Sequence, residues 1–258
     1  DYRLRNAEFT PQMAARWLGM PIAELTRLQR VLVIGSNLRK DHPLFAQRIR
    51  QAVRHGAQVS RIDAHASDWA MPVAHTVQCA AADWAQALAD VAAAVAADKG
   101  ITGPAGGNAT DAAKAIASSL LGGERKAILL GNAASHHAGA ASLLALANWI
   151  GAQTGAQVGY LTEAANTVGA QLAGAMPGEG GKHAGQMLAG GMKAVLLLNT
   201  EPEFDSAAGA SAAAALGAAA MVVTLSPFKA NMEYSDVLLP VAPFTETSGS
   251  FVNAEGRL

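Results

Sequence analysis

Short continuous apolar runs recur along the chain, and the first of them is Val31–Ile34, which ends at Gly35. A run without polar residues is typical of a strand covered on both faces of a parallel sheet. Apolar residues then recur at helical spacing from Leu44 to Val53, Gly56 ends that pattern, and the segment AQVSRID at residues 57–63 follows it. The stretch therefore predicts a strand, a helix and a second strand, parallel to the first and joined to it by a right-handed crossover.

The turn between this first strand and its helix contains residues with distinct roles. Gly35 can take backbone angles that other residues avoid, so it suits the end of the strand. Asp41 is placed to cap the following helix, and Pro43 fits the first helical turn, where a missing N–H costs little. We therefore predict a helix that begins near Pro43 with Asp41 as its cap.

The alternation of strands and helices continues along the whole chain. A helix capped by Thr10 is predicted near the start, and Asp83 is expected to cap a helix over Trp84–Ala97. Further strands are predicted at His75–Cys79, Lys126–Leu130, Val158–Leu161, Lys193–Leu198, Ala220–Leu225 and Ser235–Leu239. Further helices are predicted at Asp111–Leu121, at Gly139–Ile150 and in the alanine-rich segment that ends at Gly217, whereas residues 166–185 are expected to be mostly loop.

The order strand, polar turn with proline, helix, strand occurs twice, in Arg30–Asp63 and in Lys193–Leu225. Such a repeat favours two related domains of the α/β class, each Rossmann-like, with three layers and a mostly parallel sheet. The glycine pair at residues 122 and 123 follows a predicted helix and precedes a new apolar strand. We therefore predict a first nucleotide-binding-like domain over residues 1–122 and a second, related domain over residues 123–258.

Composition excludes several classes of protein. A formal net charge of -1 over 258 residues argues against a general nucleic-acid-binding surface. The single cysteine, Cys79, excludes an internal disulfide and any iron–sulfur cluster ligated by cysteines of this sequence alone. No apolar run reaches the length needed to span a membrane, and we expect direct membrane insertion to be absent. The first and last residues have the character of internal segments, so we expect a fragment of a longer protein.

Gly35, Ser36 and Asn37 lie at the carboxyl end of a predicted strand, where open α/β sheets receive nucleotides. The spacing GxGxxG is missing, so a turn glycine without a ligand is the alternative interpretation. Asp63 ends the next strand and could accept a hydrogen bond from a ribose hydroxyl, although strand-terminal aspartates also serve simply as turn formers.

Other polar residues suggest chemistry less strongly. His136 and His137 are the most ligand-like pair, but neighbouring side chains diverge, so a polar loop is preferred to a metal site. Cys79 lies among small and apolar residues, which favours an inert buried thiol. Glu246 and Glu255 could do acid–base work, but surface placement is the default. The motifs GxSxG, Walker A and HExxH are missing, so these residues alone name no catalytic group, no metal site and no reaction.

Five segments, in a consistent order, resemble the molybdopterin oxidoreductase family. They are VLVIGSNLRKDHP at residues 31–43 with the strand end at Asp63, LLGNAASHHAG at 129–139, NTVGAQLAGAMPG at 166–178, VLLLNTEPEFDS at 195–206 and EYSDVLLPVAPFTETSGSFVNAEGR at 233–257. In a working member, such as a formate dehydrogenase, the resemblance implies a pterin guanine dinucleotide bound across Gly35, Asn37, Asp63 and Gly131.

The chain also departs from that family at positions expected to face the dinucleotide. Asn37 is followed by leucine instead of proline, and Asp63 by alanine and histidine instead of proline and arginine. Residues 80–83 have alanines where the family has a Pro-Gly-Thr-Asp loop, and Glu201 stands where the second turn has asparagine. A carboxylate about 4 Å from a phosphate repels it by about 4 kcal/mol in a surface-like dielectric. We therefore interpret the four cofactor-binding positions as vestigial.

The last segment, together with LTEAANTVG at residues 161–169, is most similar to members of the family found in bacterial NADH-quinone oxidoreductase, respiratory complex I. That resemblance implies iron–sulfur clusters in an amino-terminal region outside this sequence. It also implies a peripheral place on the cytoplasmic side of the inner membrane, with the other subunits of the hydrophilic arm as partners.

From this resemblance we expect a non-catalytic scaffold without molybdopterin or another bound cofactor. Two alternatives stay open: a segment of a working molybdopterin oxidoreductase, and a free-standing dinucleotide-binding module.

Overall fold

The computed structural model describes residues 16–258. Its strands are β1 Arg30–Ile34, β2 Gln58–Asp63, β3 His75–Gln78, β4 Lys126–Leu130, β5 Gln157–Tyr160, β6 Ala194–Leu198, β7 Met221–Ser226 and β8 Val237–Pro240. Its helices are α1 Leu38–Asp41, α2 Pro43–Arg54, α3 Trp84–Lys99, α4 Asp111–Leu121, α5 Asn132–Ser135, α6 Ala140–Thr154, α7 Thr167–Leu172, α8 Ala184–Leu188, α9 Pro202–Asp205 and α10 Ser211–Gly217. Short 3-10 helices lie at Ile22–Arg27, Ala81–Asp83 and Phe244–Glu246. Within residues 16–258, every helix is too short or too polar to cross a membrane.

The chain divides into two compact units at a different place from the predicted one. The described part of the larger unit runs to Val168 and includes Val252–Arg257, and the smaller unit contains Gly169–Phe251. The predicted boundary between residues 122 and 123 therefore lies inside the larger unit. The reason is that β4, which begins a new apolar run after two glycines, pairs along its whole length with β1.

The larger unit is built on a parallel sheet with the strand order β3-β2-β1-β4-β5. Its central strand, β1, has both faces covered, as its apolar run predicts. Leu32 and Ile34 pack in the core that contains α3, α4 and α6, whereas Val31 and Val33 pack in the core that contains α2. Helices on both faces of a parallel sheet confirm the predicted α/β fold class.

The start of α2 differs in detail from the prediction. Pro43 occupies the first turn of α2 as expected, but the residue before it, His42, is the N-cap and makes no side-chain cap bond. Asp41 instead ends the short helix α1. Asp83 does precede α3, although its side chain makes no cap bond either. The predicted helix near Thr10 lies outside the described residues.

The smaller unit contains the parallel sheet β6-β7-β8. On one face Leu197 and Val222 pack against Leu216 of α10. On the opposite face Leu196 and Leu198 keep 68% and 62% of their surface exposed. The segment 166–185, predicted to be mostly loop, contains α7 and the start of α8.

The end of the chain returns to the larger unit and binds its described amino-terminal segment. The N–H of Leu18 donates to the carbonyl of Ala254 at 2.7 Å, and the N–H of Ile22 donates to Glu255 Oε2 at 2.6 Å. This bond holds the pKa of Glu255 below its usual range. Glu255 is therefore an anchor for the chain end, and the expectation of simple surface placement was wrong for it.

Candidate functional site

The predicted site residues lie at the carboxyl edge of the five-stranded sheet, around the point where the strand order reverses. Gly35 follows β1, Asp63 ends β2 and Gly131 follows β4, with Asn37 two residues beyond Gly35. Within the sheet, β1 is flanked by β2 on one side and by β4 on the other, so the strand order reverses at β1. Such a switch point is where open α/β sheets bind ligands.

Both glycines at this edge make room for other parts of the chain. A Cβ on Gly35, whose φ is +60°, would lie 2.7 Å from the ring of Trp84. A Cβ on Gly131 would lie 2.3 Å from Cβ of Ser36 and 2.5 Å from the carbonyl oxygen of Gly35. The N–H of Ala133 also donates to the Gly35 carbonyl at 3.1 Å. The loops after β1 and β4 are therefore in direct contact, and the space beside each glycine is occupied by protein.

The turn after β1 is satisfied by its own aspartate. The N–H of Asn37 donates to Asp41 Oδ2 at 3.0 Å, and the hydroxyl of Ser36 reaches the same oxygen at 3.3 Å. Backbone N–H groups at the start of a helix after a strand are the groups that hold phosphate in nucleotide-binding folds. Here a carboxylate already takes that donor.

The second copy of the repeat has the same arrangement. The N–H of Glu201 donates to Asp205 Oδ2 at 2.9 Å, and the hydroxyl of Thr200 lies 3.3 Å from that oxygen. Asn199 follows β6 with a φ of +48°, as Gly35 follows β1 with a φ of +60°. The repeat found in the sequence thus extends to the hydrogen bonds of the two turns.

Asp63 is buried and serves its own turn. Its Oδ1 accepts from the N–H of Ala64 at 2.7 Å and from that of His65 at 3.5 Å. Burial raises the pKa of Asp63, and these two bonds oppose that shift. The geometry is that of a turn-forming aspartate at the end of a strand.

Several polar side-chain atoms near this edge are buried without a hydrogen-bond partner among the described residues, and reasoning from the sequence singled out only Asn37 and His136 among the residues that carry them. They are Asn37 Oδ1, His42 Nε2, Trp84 Nε1, Asn132 Oδ1, His136 Nδ1 and the Tyr160 hydroxyl. Burial lowers the pKa of His42, whereas the charge of Asp41, the side chain of Asn132 and the charge of Glu163 oppose this shift. Buried polar atoms of this kind usually bind ordered water or a ligand.

The two adjacent histidines turn to different neighbours. His136 Nε2 makes a close contact with Glu163 Oε2. His137 lies against Trp84 with ring centroids 5.7 Å apart, and its Nδ1 accepts from the N–H of Gly139 at 2.9 Å. Among residues 16–258, no group of three or more histidine, cysteine, aspartate or glutamate side chains is arranged to hold a metal ion.

Cys79 is half-buried just after β3. Burial raises the pKa of its thiol, and Asp83 and Asp63 add to that effect. A thiol held in its protonated form is a poor nucleophile, in keeping with the prediction of an inert residue.

A doubly wound parallel sheet with glycine turns at its switch point places the chain among α/β proteins of the nucleotide-binding type. The sequence profile of one family, described as molybdopterin oxidoreductase, matches residues 2–258. The chain belongs to the molybdopterin oxidoreductase family.

The fold is also similar to a solved structure. That chain comes from the X-ray crystal structure of the formyltransferase/hydrolase complex (FhcABCD) from Methylorubrum extorquens in complex with methylofuran. The similarity has a TM-score of 0.60 at 15% sequence identity and covers 94% of this chain and 71% of that chain. At this identity the likeness concerns the fold. A search of curated protein sequences found no match.

The family implies a pterin dinucleotide, and the two turns can be tested for their fit to it. In each turn taken by itself, a phosphate of such a ligand would have to approach the backbone donors. Asn37 and Glu201 donate instead to Asp41 and Asp205, and Glu201 adds a second carboxylate to its turn. These turns do not fit an anionic dinucleotide.

Proposed function

We propose that this chain is a structural body of a respiratory electron-transfer complex, a pterin-enzyme scaffold that holds no dinucleotide and performs no catalysis itself. The main supporting observation is the position of Asp41, whose carboxylate takes the turn amide that a phosphate would need. Trp84 and Ser36, which fill the space beside Gly35 and Gly131, support the same conclusion.

The size of the electrostatic effect favours this proposal. A carboxylate about 4 Å from a phosphate costs about 4 kcal/mol in a surface-like dielectric. A penalty of that size weakens binding by about a thousandfold. In this proposal, the penalty outweighs the few amide contacts that the turn could still offer.

The more specific proposal is that the chain is a fragment of the pterin-enzyme-like iron–sulfur subunit of bacterial NADH-quinone oxidoreductase. The resemblance of residues 161–169 and 233–257 to that subunit is its support. Its iron–sulfur clusters would then lie in a region outside this sequence, and its partners would be the other subunits of the hydrophilic arm, on the cytoplasmic side of the inner membrane. The similar solved structure is likewise that of a complex.

The alternative function is a segment of a working molybdopterin oxidoreductase such as a formate dehydrogenase. The buried polar atoms without partners among the described residues favour it, because Asn37, Asn132 and His42 could donate to or accept from a neutral pterin or guanine edge. In this case a ligand would contribute the hydrogen bonds that these atoms lack.

Metal and pterin analysis of the intact protein from its native source separates the two functions. We expect molybdenum and fluorescent oxidised pterin far below one per chain, while NADH-oxidising subunits copurify. A molybdenum enzyme of the same family, purified in parallel, is the control for cofactor loss. Molybdenum and pterin near one per chain would reject the scaffold proposal.

A further inference from the structure

A second concave region lies at the opposite, amino-terminal edge of the same sheet. Its cavity has a volume of about 570 Å³. We call it the arginine cleft, and its lining includes Arg27, Arg30, His55, Gly56 and Arg125. These residues lie before β1, at its first residue, after α2 and before β4, so none of them belongs to the site at the carboxyl edge.

Backbone hydrogen bonds fix the walls of the arginine cleft. The N–H groups of Gln29 and Arg30 both donate to the carbonyl of Arg125, at 2.7 and 3.3 Å. The side chain of Gln29 in turn accepts from the N–H of Glu124 at 2.7 Å. The segment before β1 and the segment before β4 are therefore held together, and their arginines lie on one surface.

The guanidinium groups of the cleft use few of their donors. Arg125 Nε donates to the carbonyl of Arg27 at 2.7 Å, and Arg30 Nη1 donates to the carbonyl of Gln29 at 2.8 Å. Arg30 Nε is buried and has no partner among the described residues. A guanidinium has five N–H donors in a fixed fork, so most remain unused.

The charge of the arginine cleft is unbalanced. Arg27 pairs with Glu24 at 3.1 Å, and Glu24 is the only carboxylate among the described residues of the lining. Three arginines against one glutamate leave a formal charge of +2, with His55 counted as neutral. A doubly charged anion would balance it.

We propose that the arginine cleft binds the phosphoryl group of a small molecule. Arginine forks match the geometry of phosphate oxygens, and the volume lies within the range of about 300–1,000 Å³ that is usual for small-molecule sites. The simpler interpretation is that these arginines only offset the carbonyls at the carboxyl end of α2. That role needs no ligand. The proposal therefore predicts saturable binding of a phosphoryl group, and the simpler interpretation predicts none.

Calorimetric titration of the full 258-residue chain with inorganic pyrophosphate at low salt tests the inference. We expect saturable binding that Arg125→Gln and Arg30→Gln each weaken about tenfold or more, the effect of losing a hydrogen bond to a charged group. Arg30→Lys keeps the charge but loses the fork, so we expect an intermediate loss. Arg50→Gln is the matched control, because Arg50 is exposed on α2 outside the lining, and we expect it to bind as the unaltered chain does.

NMR chemical shifts of the backbone amides, followed during the titration, locate the binding site. Pyrophosphate is expected to move the amides of Gly56 and Gly123, at the cleft, and not those of Gly35 and Gly131. No binding at about 10 mM, or binding equal in Arg125→Gln and Arg50→Gln, would overturn the inference. Tighter binding of a hexaglutamate peptide than of pyrophosphate would also overturn it, by indicating a protein-docking surface. The inference is independent of the proposed function, since neither result for pyrophosphate changes the expected pterin content.

Discussion

The contact between the loops after β1 and β4 makes Gly131→Ala the most informative substitution. The new Cβ would lie 2.3 Å from Cβ of Ser36 and 2.5 Å from the Gly35 carbonyl oxygen. Ordinary carbon contacts begin near 3.5 Å, so the two loops would have to separate by about 1 Å. Neither neighbour is the end of a flexible side chain, and we therefore expect a cost of about 3 kcal/mol, the upper part of the range for overpacking.

The free energy of unfolding of the larger unit can be measured separately. The four tryptophans of the sequence, Trp17, Trp69, Trp84 and Trp149, all belong to this unit. Urea denaturation followed by tryptophan fluorescence therefore reports on it without the smaller unit. For a unit of this size, a loss of 3 kcal/mol corresponds to a fall in Tm of about 6–12 °C.

A matched control is Gly122→Ala. Its Cβ would meet nothing closer than the Ser119 carbonyl oxygen at 3.6 Å, so we expect a change within about 0.5 kcal/mol. If Gly131 served only the close approach of a ligand, its substitution would leave the unfolding of the ligand-free chain unchanged. Equal unfolding curves for the two variants would thus refute the claim that the loops pack against each other.

Three further substitutions test individual interactions. Asp41→Ala removes the acceptor for the Asn37 amide and should destabilise the larger unit by about 1 kcal/mol in the same urea assay, whereas an unchanged midpoint would argue against the bond. Tyr234→Phe removes the hydroxyl that donates to Glu203 at 2.9 Å, so hydrogen exchange in β7 should become faster by an amount equivalent to about 1 kcal/mol, and unchanged exchange would contradict this. Burial lowers the pKa of His42 from its ordinary value of 6.5. As the pH drops below about 6.5, the His42 imidazole is therefore protonated in the unfolded chain before it is protonated in the folded chain, and the free energy of unfolding falls. His42→Asn should reduce this dependence between about pH 7 and pH 5, and a variant with the same slope would exclude a contribution from His42.

Local patterns in the sequence predict the strands well because each strand has its own boundary signals. The bounds of β4 are observed as predicted, since a charged residue and a glycine flank a purely apolar run. The role of Asp41 was not predicted correctly. An aspartate two residues before Pro43 looks the same in the sequence whether it caps α2 or accepts a hydrogen bond from the preceding turn. His42 lies between them and takes the cap position, a choice that depends on backbone angles.

Local sequence patterns cannot predict features that depend on contacts between segments far apart in the chain. The predicted domain boundary is misplaced because β4 pairs with β1 across a separation of 96 residues, from Arg30 to Lys126. The cluster of buried polar atoms draws His42, Asn132 and Tyr160 from three segments that only the sheet brings to one edge. Of the residues in that cluster, the sequence singles out Asn37 and His136. Glu163, which contacts His136, belongs to the segment LTEAANTVG that was noted in the sequence.

The central claim concerns the carboxyl edge of the five-stranded sheet around Gly35 and Gly131, where a nucleotide would bind. Asp41, Trp84 and Ser36 occupy the donor and the space that a nucleotide would need there. Titration of the 258-residue chain with guanosine diphosphate, followed at the backbone amides of Gly35 and Gly131, tests it directly. We expect no saturable shift of these two amides up to about 1 mM ligand. A saturable shift of both amides with a micromolar Kd would mean that the crevice is open to a nucleotide and that the claim is wrong.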